Sequence, residues 1–152
     1  MRRSKNLLPS ALFFPVVLLV AMAGLAAADD PEEKSELRVA NAKVLVPESW
    51  ENATAYLVIQ NKGKKARKIV GGGCEGCEWV EIHRAVFRDG AMESEKLDEM
   101  EIPAGGAVAF APRGLSLSLV GLNDVEEGTK VAFELELADG ERLPIEAVAV
   151  LE

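Results

Sequence analysis

A chain of 152 residues, 49% hydrophobic and 28% charged, has the size and composition of one globular domain. Its net charge of −8 argues against nucleic acid and anionic lipid as partners, because binding phosphate takes a basic surface. With one histidine, no serine-histidine-acid or paired-carboxylate catalytic arrangement can be argued from the sequence, and the chain reads as a non-enzyme.

The first residues are a different material. Met1 to Lys5 is basic, residues 7–28 carry no charge, and Ala26-Ala27-Ala28 stands before Asp29-Asp30. This pattern predicts a secretory signal peptide over residues 1–28, cleaved near Ala28. The alternative is an uncleaved membrane anchor from Leu7 to Ala28, since 22 uncharged residues are enough to span a bilayer. Pro9, Pro15 and the small residues before an acidic start favour cleavage. Loss of Arg2, Arg3 and Lys5 takes the net charge from −8 to −11. The predicted location is periplasmic or extracellular, with membrane contact only through the leader if it is retained. Cysteines there tend to be oxidised or metal-bound.

Residues 29–36, DDPEEKSE, read as a solvated acidic linker. From Leu37 to the end, short alternating runs follow one another: LRVANAKVLV, TAYLVIQN, WVEIHRAVF, AVAFAP, LSLSLVGL, VAFELELA and LPIEAVAVL. Asp89-Gly90 and Asp139-Gly140 are two-residue turn signals and predict two hairpins. The stretch from Met92 to Met100 is expected to be the irregular return arm of the first. About seven short strands without a long helix predict an all-β domain over residues 37–152, an antiparallel sandwich of immunoglobulin-like type with Greek-key connections.

Alternation also assigns faces. Val131, Phe133, Leu135 and Leu137 should point to the core and Glu134 and Glu136 to water. Leu115, Leu117 and Leu119 likewise take the core face, and Ser116 and Ser118 the other. His83 shares a face with Glu81, Ala85 and Phe87. A two-residue turn at Asp89-Gly90 places Phe87 opposite Met92 and Ala85 opposite Ser94. Trp50, Trp79 and Tyr56 read as core or edge packing residues.

The chain resembles the PCu(A)C family of periplasmic copper chaperones. The resemblance lies in AYLVIQNKG (55–63), VEIH (80–83), DGAM (89–92), IPAGGAVAFAPRG (102–114) and GLNDVEEGTKV (121–131). It implies a cupredoxin-like sandwich, binding and delivery of Cu(I), and partners among respiratory oxidase assembly factors and Sco-like proteins. The implied site is a histidine, a methionine eleven residues later, and a His-x-Met pair twenty-two residues beyond. His83 matches the first position. The others are Ser94, Ser116 and Ser118, whose hydroxyls are hard, weak donors for Cu(I). Copper, if held, would then need a rearranged set drawn from His83, Met92, Cys74 and Cys77.

Against that set stands distance, because six residues separate Cys77 from His83, roughly 20 Å if extended. The sequence GGGCEGC is expected to be a glycine-rich loop closed by a Cys74–Cys77 disulfide, worth about 2 kcal/mol in a ring so short. Metal ligation and a redox-active pair are the alternatives, a lone CxxC being a weak signal for either. Two functions stay open: a copper carrier with a degenerate site, and a metal-free binding or scaffold module that kept the fold.

Overall fold

In the computed structural model the described residues are 36–48 and 52–152. The predicted signal peptide, all of the acidic linker except Glu36, and Trp50 lie outside them. The described residues belong to one unit, residues 33–152.

Ten strands follow in chain order: β1 (Leu37–Val46), β2 (Asn52–Asn61), β3 (Arg67–Cys74), β4 (Trp79–Arg88), β5 (Ala91–Leu97), β6 (Met100–Ile102), β7 (Ala107–Phe110), β8 (Leu115–Val120), β9 (Lys130–Leu137) and β10 (Arg142–Leu151). They hydrogen-bond in the order β5-β4-β8-β7-β2-β1-β10-β9-β3-β6, with further pairings β8–β2 and β4–β3. The β4–β3 pairing, Gly72 opposite Val80, joins the two ends of the order, so the sandwich closes on itself. The expected all-β sandwich is what forms. Most pairs are antiparallel, but β1–β10 and β7–β8 are parallel, which alternation within single strands does not reveal.

Side-chain alternation builds the core as expected. Leu117 and Leu119 of β8 and Leu135 and Leu137 of β9 are fully or almost fully buried, together with Leu57 and Ile59 of β2 and Ile82 of β4. Each such side chain contributes about 1.5–3 kcal/mol by leaving water. Among the described residues Asn61 is the one buried polar side chain. Its amide donates to the carbonyls of Lys65 and Ile102 at 2.7 and 3.2 Å, and its own carbonyl accepts from the Gly63 N–H at 3.0 Å. The asparagine therefore ties the β2–β3 turn to β6 and leaves no polar atom unsatisfied.

Three expectations are corrected. Gly71 to Cys74 is not loop but the end of β3, paired with Glu136 to Phe133 of β9. Gly72 serves close approach, since a Cβ there would collide with the Glu134 carbonyl oxygen. The arm after Asp89-Gly90 is a regular strand, β5, over its first seven residues. It is an edge strand of the sheet and mostly exposed, so its sequence lacks alternation. The β9–β10 hairpin forms, but its loop has three residues, Ala138 to Gly140, because Leu137 N–H bonds the Glu141 carbonyl. Gly140 takes the positive φ of 89° that such a loop needs. At the β4–β5 turn Asp89 and Gly90 have φ of 49° and 83°, the two-residue type I′ geometry expected.

Candidate functional site

The outer face of β4, β5 and β8 collects the residues that the resemblance singled out. Opposite residues of an antiparallel pair point to the same side of a sheet. Across β4 and β8, His83 is opposite Ser116 and Glu81 opposite Ser118. Across β4 and β5, His83 is opposite Lys96, Ala85 opposite Ser94 and Phe87 opposite Met92. His83, Ser94, Ser116 and Ser118 thus share one face.

A closed polar network occupies that face. The His83 ring bonds Ser94 Oγ through Nδ1 and Glu81 Oε2 through Nε2, both at 2.9 Å. Glu81 Oε1 accepts from Lys96 Nζ at 2.7 Å and from the Trp79 indole N–H at 2.9 Å. The bond from Lys96, then that from His83, with a smaller one from Trp79, hold the Glu81 carboxyl down at about 2. A group ionised that far can only accept, so Nε2 carries the proton given to Glu81. In the neutral ring Nδ1 then accepts from the Ser94 hydroxyl, leaving no lone pair free for a metal. Lys96 adds a positive charge beside the imidazole, which opposes a second cation.

The sequence gives Glu81 and Lys96 no role in the site and reads Trp79 only as a packing residue, whereas its indole donates to Glu81. The two-residue spacing on β4 places Glu81 beside His83, but Lys96 arrives only through strand pairing. The structure also aligns Ser94, His83 and Glu81, a serine-histidine-acid line not foreseen from sequence. The adjacent cavity, about 240 Å³, is lined by Val70, Trp79, Glu81, Lys96 and Leu97 among others, not by Ser94.

The rearranged copper set is not brought together. Met92 sits at the tip of the β4–β5 hairpin, opposite Phe87, and both side chains are exposed, 54% and 70%. This tip extends beyond the β8 ladder, which ends at Arg84 opposite Leu115 with one further bond from the Ala85 N–H to the Gly114 carbonyl. Cys74 and Cys77 are joined in a disulfide, with Cα atoms 5.4 Å apart, so neither offers a thiolate. Among the described residues no group of three or more His, Cys, Asp or Glu side chains is arranged to hold a metal. Disulfide, serine hydroxyls and a doubly bonded imidazole do not fit Cu(I), which takes soft thiolates, thioethers and free imidazole.

Residues 37–150 match a family model described as "Putative lipoprotein LpqE-like". No curated protein matches the chain in sequence. Solved structures with the same fold include one described as "Copper-bound PCuAC domain from PmoF2", with a TM-score of 0.64 and 16% identity, covering 77% of this chain and 94% of that one. The "Apo PCuAC domain from PmoF1" has a TM-score of 0.62 and 20% identity over 77% of this chain and 95% of that one. Apo-DR1885 from Deinococcus radiodurans has a TM-score of 0.58 and 24% identity, covering 99% and 96%.

Proposed function

Because the chain belongs to the LpqE-like family and is built on the fold of PCuAC domains, we propose that it is an exported, non-enzymatic binding module that kept this fold without its metal. The observation that carries this reading is the engagement of both His83 ring nitrogens, by Ser94 and by Glu81, with Lys96 on the same carboxylate. An internal ion pair stands where the resemblance expects a cation. The leader that the sequence pattern predicts over residues 1–28 supports the exported location. The family description speaks of lipoproteins; in this chain both cysteines are bonded to each other, so neither is free to carry a thioether-linked lipid.

A module of this kind works through a surface. The exposed Phe87–Met92 pair is the apolar part of the former metal face, and we assign partner contact to it. The oxidase assembly factors and Sco-like proteins implied by the resemblance act on a copper cargo, which a metal-free module does not bring.

Titration of the native, disulfide-bonded protein with Cu(I) against a chromogenic chelator tests the proposal. No stoichiometric uptake is expected at submicromolar free copper. One equivalent bound by wild type and lost in His83→Ala would overturn it and restore the copper-carrier reading.

A further inference from the structure

The disulfide holds together the two softest donors of the chain, away from the His83 network. Cys74 is the last residue of β3 and pairs with Phe133 of β9; Cys77 lies in the turn that leads to β4. Gly76, at φ 88°, makes the turn that returns the chain, and no other residue type adopts that conformation as readily. Both cysteines are partly accessible, and Cys74 lines an open groove of about 700 Å³ with Gly73, Phe133, Pro144 and Ile145. The Cys74 end of the bond therefore borders open groove space.

We propose that reduction of Cys74–Cys77 creates a two-coordinate Cu(I) site, so that metal uptake by this protein is gated by thiol redox state. The fold sets the geometry: β3 and the Gly76 turn keep the Cα atoms at 5.4 Å, so both sulfurs remain within reach of one ion after the bond opens. The donor set selects the metal. Two thiolates suit Cu(I), whereas zinc in protein sites is almost always four-coordinate. Among the described residues no third His, Cys, Asp or Glu completes such a cluster.

The chemistry balances with a dithiol as reductant. A dithiol gives two electrons and two protons to the S–S bond and becomes a disulfide itself, leaving two protein thiols. Cu(I) then displaces both protons and bonds the two thiolates, giving a site of charge −1. The inference rests on the metal-free reading of the disulfide form and adds a site elsewhere on the fold.

The test prepares the chain oxidised and reduced, confirms two titratable thiols and an unchanged far-ultraviolet circular dichroism spectrum in the reduced form, and titrates both with Cu(I) against a chelator. X-ray absorption then reads the ligand shell. The expected result is no copper on the oxidised form and one equivalent on the reduced form with a sulfur-only shell. His83→Ala and Met92→Leu should bind as wild type does, and Cys77→Ser, which leaves β3 intact, should bind none. Two free thiols without copper uptake would overturn the inference, as would uptake that survives Cys77→Ser or vanishes in His83→Ala. Uptake by the oxidised form would overturn the gate together with the metal-free reading, whereas failure of the reduced form alone overturns only the inference.

Discussion

Replacing Glu81 by Gln keeps the shape of the network centre and removes its charge. The Glu81 carboxyl lies at about 2 against an ordinary 4.5, a difference that at about 1.4 kcal/mol per unit sets a ceiling near 3 kcal/mol. Lys96, the partner with the largest effect, is 57% exposed, so solvent screening reduces this to about 1 kcal/mol. The sign follows from a folded value below the unfolded one. The contribution is complete above the ordinary carboxylate value and is lost as pH falls from about 4.5 towards about 2. Urea unfolding of wild type and Glu81→Gln across this range should show the variant less stable by about 1 kcal/mol at neutral pH. The gap should close at the acid end and narrow in about 1 M salt, where the screening length is about 3 Å. A gap that is absent at neutral pH, or that persists unchanged at the acid end, would refute the account of Glu81 as the ionised centre of the network.

Other consequences of the geometry can be measured directly. Combining Ser94→Met, Ser116→His and Ser118→Met with Lys96→Gln should give the disulfide-bonded protein one Cu(I) equivalent by chelator competition; no gain would mean that the four positions do not converge. Gly72→Ala should cost about 1–3 kcal/mol in thermal or urea unfolding, because its Cβ meets the Glu134 carbonyl oxygen. Gly73→Ala, with open space around the new methyl group, should cost under about 1 kcal/mol. The double variant Cys74→Ala/Cys77→Ala should stay folded and lose about 2 kcal/mol, the entropy of closing so short a ring.

Much of the site could be read in the sequence because it depends on local periodicity. The Asp89-Gly90 turn forces the register that puts Ala85 opposite Ser94 and Phe87 opposite Met92, and that register is what forms. LSLSL similarly presents Ser116 and Ser118 away from the core. Period-two reasoning fails where a strand has no side chains, as at Gly71 to Gly73, or where both faces are wet, as along β5. It is also silent on which strands become neighbours. The pairing of His83 with Ser116 joins residues 33 positions apart in the sequence, and that of His83 with Lys96 depends on β5 being a strand at all.

What the residues determine by themselves is the all-β class, the faces of β8 and β9 and the β4–β5 turn, since each follows from residue type and spacing; that serines stand at three ligand positions is what the family resemblance implies. Only the tertiary structure decides how the polar face of β4, β5 and β8 is filled. Glu81, Lys96 and Trp79 become one hydrogen-bonded group with His83 because β5 pairs with β4 there, and a carboxylate so bonded stays ionised and keeps the imidazole engaged. The same holds for the cysteines: the CxxC spacing permits a bond, a metal or a redox pair, and it is β3 running into the Gly76 turn that holds the two sulfurs together.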